Sequence, residues 1–351
     1  MTIKDKEYHA DSIQVLSDRE HVRLRTQIYL GNMSSVSYPI PLFNDDELEV
    51  KNVEFIPAVY KAVGEIIDNS IDEFAQIKQK NKILSIEADP VFGTYTISDN
   101  GRGIPIGKHA TGKFTPEVAL GALRAGRNFG DDKDAGVIGQ NGVGSACTNY
   151  CSKEFNIDIH RDGKRYRQKF ANGALDISRP SIRKGSASKT GTSVSFVLDN
   201  EVFDETTLPE ELIHNRAIEI ALTNPGVTVE YNKKKYKFRR GLEDMVKAVS
   251  KNNYFKFSDD TMEFFIVPDL HQGLDEQMFT WVNSSLLFDG GLCNTQFMNA
   301  FTSKTVEHLA SAAKKQKCEV TKNDVKRNML IFGSLKIGDP EYDAQSKTRL
   351  T

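Results

Sequence analysis

The chain has 351 residues, 39% hydrophobic and 27% charged, with a formal net charge of −2. That length is more than one core usually fills, so two domains of an ordinary soluble protein are expected; the balanced charge excludes a globally basic nucleic-acid binder, but neither local basic patches nor a partner subunit that carries DNA contacts. No apolar run reaches the roughly 18 residues of a membrane span, and Met1–Ala10 is polar, so neither a span nor a signal peptide is expected.

Residues 1–56 read as irregular apart from a short helix over Leu16–Arg23 and a turn at Tyr29–Met33. A strong helix starts at Pro57, whose missing N–H costs nothing in a first turn. Val59, Val63, Ile66, Ile67, Ser70 and Phe74 give it an apolar stripe. Strands are expected at Lys82–Ala88 and Thr94–Ser98 around an Asp89-Pro90 turn, then a helix at Pro116–Ala125. The glycine-rich stretch Gly126–Gly144 is too long for a simple connector. A helix from Ser145 follows, then strands at Phe155–His160 and Tyr166–Phe170 joined by Asp162-Gly163, and another at Thr192–Leu198. Acidic and turn residues at Asp199–Pro209 mark a domain boundary. Beyond it the pattern gives a helix (Pro209–Leu222), a hairpin (Val227–Tyr231 and Tyr236–Phe238) and strands near Glu263–Val267 and Met278–Val282. A helix at Asn294–Lys314 and a strand at Met329–Lys336 complete the chain. Cys147 and Cys151 lack a nearby His or Cys pair, so reduced thiols of a cytoplasmic protein are expected rather than a zinc site.

Four polar patterns carry chemistry. Glu65 and Asn69, four apart, project from one helix face. The carboxylate can take a proton from a water that attacks a γ-phosphate, and the amide oxygen beside it can ligate Mg²⁺. Alone, such a pair also describes a solvated acidic face. Asp99, at a strand end before Gly101 and Gly103, can accept from an exocyclic amine while the glycines let a flat ring approach; an ordinary Asn-Gly turn has the same wording. Gly139-x-x-Gly142-x-Gly144 leads into a helix, where backbone N–H groups suit polyphosphate, yet it has neither dinucleotide nor Walker spacing. Thr190-Gly191-Thr192 opens a strand where a hydroxyl can back up Asp99.

Together these patterns resemble the GHKL ATPases: type II topoisomerases, heat-shock protein 90, MutL mismatch-repair proteins and histidine kinases. Within that superfamily, Glu65-Ile-Ile-Asp-Asn-Ser-Ile-Asp-Glu73, Asp99-Asn-Gly-Arg-Gly-Ile-Pro105 and Gly139-Gln-Asn-Gly-Val-Gly144 resemble type IIA DNA topoisomerases. Phe288-Asp289-Gly290-Gly291 is similar to that family's Glu-Gly-Gly segment, and Gln345-Ser346-Lys347 to its Gln-Thr-Lys loop. The large subunits of T-even-type bacteriophage topoisomerases are the members whose wording it most resembles.

The resemblance implies an α+β architecture: a Bergerat (GHKL) sandwich of helices on a mixed sheet over residues 1–200, with an N-terminal dimerisation arm. Residues 201–351 would form a C-terminally truncated transducer domain, with the α/β fold of a small-subunit ribosomal protein, that carries a switch lysine. It implies that Glu65 activates water, Asn69 holds Mg²⁺ and Asp99 reads adenine. Asn100, Gly103 and Ile104 would line the base, and Thr192 would assist Asp99. Arg127 and Asn128 would approach the ribose and phosphates, and Gly139, Gln140, Asn141, Gly142, Val143, Gly144, Ser145 and Ala146 would wrap the triphosphate of ATP. Lys347, with Gln345 and Ser346 beside it, would reach the γ-phosphate from the second domain. Implied partners are a transported DNA duplex in the dimer cavity, a second copy of the chain on ATP binding, and further topoisomerase subunits.

Ser346 replaces the family's Thr, and Leu292-Cys293-Asn294 stands where the family has Thr-His and an acidic residue. The family's subunit continues past the lysine loop, so an ATPase-plus-transducer piece without the DNA-cleaving tyrosine is expected. The rival readings are a MutL- or heat-shock-protein-90-like protein clamp and a histidine kinase. The Arg102–Pro105 wording and the Gln345–Lys347 loop favour the topoisomerase over the clamp. The second domain after the ATP site, with no phospho-acceptor helix before it, disfavours the kinase. The basic run Lys233–Arg240 reads as a charged hairpin tip, with DNA contact as the alternative.

Overall fold

A computed structural model gives the structure, with residues 13–44, 47–126, 138, 142–268, 277–327 and 329–351 described. Two short helices, α1 (Asp18–Leu24) and α2 (Thr26–Leu30), precede a hairpin of β1 (Val36–Asn44) and β2 (Glu47–Phe55), then the long α3 (Pro57–Ala75). Next come β3 (Lys82–Asp89), β4 (Thr94–Asp99), α4 (Thr115–Gly121), α5 (Gly144–Tyr150), β5 (Ser152–Arg161) and β6 (Lys164–Ala171). β7 (Asp176–Ile177), β8 (Ser181–Lys184), β9 (Gly191–Leu198), α6 (Glu210–Thr223), β10 (Val227–Tyr231) and β11 (Lys234–Tyr236) follow. The remainder is α7 (Leu242–Ser250), β12 (Phe255–Ser258), β13 (Met262–Pro268), β14 (Gln277–Val282), β15 (Ser285–Leu286), α8 (Leu292–Lys315), α9 (Lys322–Lys326) and β16 (Met329–Leu335).

The first large sheet runs β11-β10-β3-β4-β9-β5-β6-β7, with β8 also on β6, and is mixed because β10 lies parallel to β3. α3, α5 and α6 cover one face of it. On the other face hydroxyls pair across strands: Thr96 with Ser195 at 3.1 Å and Ser98 with Ser193 at 2.7 Å. The second sheet runs β12-β13-β16-β14-β15, again mixed, with β14 parallel to β16. This is the expected architecture of helices on mixed sheets.

The polar lead-in is more ordered than the sequence suggests. Pro39 and Pro41 argue against a strand, yet β1 pairs with β2 from Val36↔Phe55 to Asn44↔Glu47. Two residues apart, the prolines place both missing donors on one edge of a two-stranded ribbon, where no ladder bond is lost. Tyr29–Leu30 ends α2 rather than forming a turn, α4 stops at Gly121, and β7, β8, α7, β12, β15 and α9 were not anticipated. β10 and β11, past the boundary expected near residue 200, still belong to the first sheet; the second sheet begins at Phe255.

The hairpin fills the gap between the sheets. Phe43 packs against Trp281 and Phe332 of the second sheet, each at 6.4 Å between ring centroids, and Phe288 stacks on Tyr38 at 5.0 Å and meets Tyr60 of α3 at 5.3 Å. The apolar core is therefore continuous across both sheets. A buried ionic row crosses the same junction. Arg216 on α6 donates from Nη2 to Asp68 of α3 at 3.2 Å, sits 3.8 Å from Glu219, and bonds through Nη1 to the carbonyl of Ser284 in the β14–β15 turn. All three ionisable groups are 4% exposed or less. Removing the cation strands two buried carboxylates, so Arg216→Ala is expected to lower the unfolding free energy by about 3–5 kcal/mol in urea titrations.

Candidate functional site

α3 builds the site. Positions 61, 65, 68 and 72 recur at helical spacing on one face, and Lys61, Glu65, Asp68 and Asp72 are all buried there. Lys61 Nζ lies 2.5 Å from Glu65 Oε1. Burial pushes the Glu65 carboxyl up, but Lys61 first and Lys347 second outweigh it and hold the group below its ordinary value. Burial pulls Lys61 down, and the charges of Glu65 and Asp68 more than reverse it. Lys347 goes the other way: burial, then repulsion from Lys61, lowers it despite Glu65, Asp68 and Asp72. The result is an ionised, desolvated carboxylate with two amines, the composition a general base needs.

Gly144, the first residue of α5, is seated on that carboxylate. A Cβ built there would fall 1.6 Å from Glu65 Oε2, so no other residue type fits. One turn along α3, the exposed Asn69 donates from its amide nitrogen to Ser145 Oγ at 2.7 Å. Thr148 of α5 donates to Ala62 O at 2.9 Å, clamping the helices together, and Ala146 and Cys147 are buried between them. Cys147 and Cys151 are free, buried thiols, pushed up by burial to an inert state: Cys151 to about 12 and Cys147 higher still.

Asp99 ends β4 at the other end of the site. Its Oδ1 accepts from Gly101 N at 2.8 Å, and its Oδ2 from Ser70 Oγ at 3.3 Å. Burial pushes Asp99 up to about 6 against those bonds. Thr192 Oγ1 accepts from Ile104 N at 3.3 Å, and Gly103 lies against the His160 and Gly191 carbonyls, so these residues form one loop cluster around Asp99. The Asn100 amide is engaged elsewhere: it accepts from Ile83 N at 2.8 Å and donates to Asn81 O at 2.7 Å, fastening the start of β3.

The C-terminal loop enters from the second sheet. Lys347 is 8% exposed and donates to Ile138 O at 2.8 Å, while Ile138 N donates to Asp72 Oδ1 at 2.7 Å. Ile138 thus straps the glycine-rich stretch to both α3 and Lys347. The loop is aligned by Gly290-Gly291. Leu350 N donates to Gly290 O at 3.2 Å, Leu292 N to Leu350 O at 3.0 Å, and Asp289 N to Thr348 O at 3.0 Å. Gly291 has φ 148, and a Cβ on it would meet Leu350 O at 2.4 Å. The altered residues Leu292-Cys293-Asn294 simply begin α8. Ser346 packs on the Gly31 backbone, and Gln345 is half-buried beside it.

Thus Glu65, Asn69, Gly144, Ser145, Ala146 and Lys347 converge at one end, and Asp99, Gly103, Ile104 and Thr192 at the other. Gly142 O accepts from Ala125 N at 3.2 Å, and Val143 caps α5 through Cys147 N. Arg127, Asn128, Gly139, Gln140 and Asn141 lie outside the described residues. Sequence reasoning missed Lys61, Asp68, Asp72, Ile138 and Arg216. Lys61 had a legible signal: it is the one cation of α3, four residues before Glu65.

Two family models match: "Histidine kinase-, DNA gyrase B-, and HSP90-like ATPase" over residues 56–202, and "DNA gyrase B" over 230–351. The chain is 30% identical over 363 residues to the B subunit of the type 2 topoisomerase of Aquifex aeolicus, covering 98% of this chain and 42% of that protein. It is 29% identical to the B subunit of DNA topoisomerase 4 of Borreliella burgdorferi, covering 99% and 52%. The chain therefore spans about half the length of these relatives. The fold is that of the ATPase region of Saccharomyces cerevisiae topoisomerase II (TM-score 0.82, 24% identity, 97% of this chain and 90% of that one). It is equally that of the ATPase and transducer domains of the Balamuthia mandrillaris enzyme (TM-score 0.84, 24% identity, 98% and 90%).

The Lys61–Glu65 pair has a pH signature. Glu65 sits below its ordinary value, so its stabilisation is present above pH 4.5 and lost as pH falls through its folded value. Lys61→Met leaves burial to dominate, so the variant is expected to be about 3 kcal/mol less stable at neutral pH. Urea titrations from pH 3 to pH 8 should show the deficit shrinking towards acid.

Proposed function

The chain belongs to the gyrase B and topoisomerase II branch of the GHKL ATPases, and from that we propose that it binds and hydrolyses ATP as the N-terminal gate of a type II DNA topoisomerase. Two copies close on ATP binding and capture a DNA segment for strand passage, together with the remaining subunits of the holoenzyme. The observation that carries the reading is the convergence on Glu65 of Gly144 from the glycine-rich stretch and Lys347 from the second sheet. An ATP-operated gate needs its phosphate site built from both units. A single-domain kinase site does not.

In this reading Asp99 accepts from the adenine amine, with Gly103, Ile104 and Thr192 around the base. Residues 139–146 surround the phosphates, with Arg127 and Asn128 beside them. Asn69 spends its amide nitrogen on Ser145, which leaves its oxygen as a neutral donor of the kind Mg²⁺ takes. The metal, when bound, neutralises phosphate charge. Glu65 takes a proton from the water as its oxygen bonds to the γ-phosphorus, and the bridging bond breaks to release ADP. Lys347 turns from Ile138 O to the transferring phosphoryl group, where fixed positive charge lowers the barrier. Hydrolysis then changes what Lys347 holds, and with it the angle between the units.

The unit division we propose follows the sheets: an ATP-binding unit through Tyr236 and a transducer from Phe255. A bacteriophage source and a cytoplasmic location belong to the same proposal, on the motif wording. Among the described residues no helix is long and apolar enough to cross a membrane.

Glu65→Ala is expected to keep nucleotide binding in calorimetry while ATP turnover falls about 10²–10⁴-fold; unchanged turnover refutes the assignment. A non-hydrolysable ATP analogue should shift sedimentation from monomer towards dimer. Because Asp99 must be ionised to accept from adenine and titrates at about 6, nucleotide affinity should be flat above pH 7 and weaken as pH falls through 6. Asp99→Asn should flatten that profile.

A further inference from the structure

Between Arg161 and Lys189 the sequence carries nine Lys or Arg and two Asp, a local net charge of +7, which leaves −9 for the rest of a chain whose total is −2. The fold gathers this charge into one ribbon, with β6 between β5 and β8. The registers set Arg161 opposite Lys164, Lys164 opposite Lys184, and Arg165 opposite Arg183. Like charges directly opposite destabilise a strand pair, so three such pairs in one ribbon work against folding.

The ribbon's own carboxylates do not neutralise it. Asp158 takes Arg165 and Arg167, each at 2.9 Å, and Asp162 meets Arg161 at 3.4 Å. Lys164, Lys169, Arg183 and Lys184 are exposed and form no ion pair among the described residues. Charge on an edge strand guards against edge-to-edge association. That explains β8 alone, because β6 is an interior strand and carries the opposing charges as well. Arg165, Arg167 and Lys169 alternate with the buried Tyr166, Gln168 and Phe170, so they and Arg183, opposite Arg165, stand on the helix-free face beside the hydroxyl pairs of β4 and β9, while Arg161, Lys164 and Lys184 stand at the hairpin tip on the Tyr166 side.

We propose that the cationic β5–β6–β8 ribbon, over its open face and around its hairpin tip, is a contact surface for the phosphate backbone of duplex DNA, separate from the nucleotide site. The cation array is independent of the ATPase reading; the choice of DNA as the polyanion rests on it. Phosphates set between the facing cations turn three repulsive pairs into bridged ones. The hairpin tip touches the adenine loop, where Arg161 donates to Gly103 O at 2.6 Å, so Arg161 is left intact in the test.

The test is anisotropy of a fluorescent duplex of about 30 base pairs, titrated with the chain across a salt series. The variant Lys164→Gln, Lys169→Gln, Arg183→Gln, Lys184→Gln is expected to bind at least about tenfold more weakly at low salt, with a slope of log affinity against log salt shallower by about 2–4. ATP turnover without DNA and the cooperativity of thermal unfolding should not change. The control variant Lys233→Gln, Lys234→Gln, Lys235→Gln, Lys237→Gln should bind like the unaltered chain. Lys184→Glu adds a sign test: it relieves the Lys164 repulsion, so Tm should rise by about 1 °C while DNA affinity falls. Unchanged affinity and slope in the ribbon variant, or equal losses in both quadruple variants, overturn the proposal. Turnover without duplex binding by the unaltered chain sinks the ribbon alone; duplex binding without turnover sinks the ATPase reading alone.

Discussion

Burying four ionisable side chains on one face of α3 is the constraint from which the rest of the arrangement follows. Lys61, Glu65, Asp68 and Asp72 leave water together, and three carboxylates against one amine cannot be buried unless cations arrive from elsewhere. They come from two distant places in the chain, Arg216 on α6 and Lys347 on the last loop. Each cation also contacts something beyond α3: Arg216 reaches Ser284 in the second sheet, and Lys347 reaches Ile138. Charge compensation therefore ties the helix, both sheets and the glycine-rich stretch into one object.

That tie gives the site a way to report its state. Lys347 lies between an amine that repels it and carboxylates that attract it, with burial opposing its charge. Glu219 is similarly poised: burial pushes it up to about 7 despite Arg216. Its neutral form favours the fold, so this contribution is present below pH 4.5 and lost as pH rises through about 7. Groups so finely balanced respond to new charge nearby, and a triphosphate brings several. The aromatic seam of Phe43, Phe288, Trp281 and Phe332 supplies the packed, non-directional part of the junction between the sheets.

The described surface divides by charge as well. One face of the nine-stranded sheet is closed by α3, α5 and α6; the other is open, with serine and threonine hydroxyls leading to the cationic ribbon. The Glu65 cluster sits on the helix side and Arg165, Arg167, Lys169 and Arg183 on the open side, while Arg161 at the ribbon's hairpin tip donates to Gly103 O.

Much of this was legible because it is local. The helix from Pro57, the strands around Asp99 and the hairpin at Asp162-Gly163 follow from periodicity and turn chemistry, and the helical repeat alone puts Glu65 and Asn69 on one face. The sequence by itself determined the family and the motif order, and it singled out Glu65 and Asp99, around which the structure gathers two clusters. What it could not determine depends on residues far apart in the chain. Pro39 and Pro41 hide a hairpin whose order comes from aromatic packing on the second sheet, and β10 joins the first sheet only through β3. Lys61 as a buried partner, Arg216 as a bridge and the cross-strand repulsion on the ribbon appear only once register and burial are known. Charge acts through space at a few ångströms, and that separation is set by tertiary structure rather than by position in the chain.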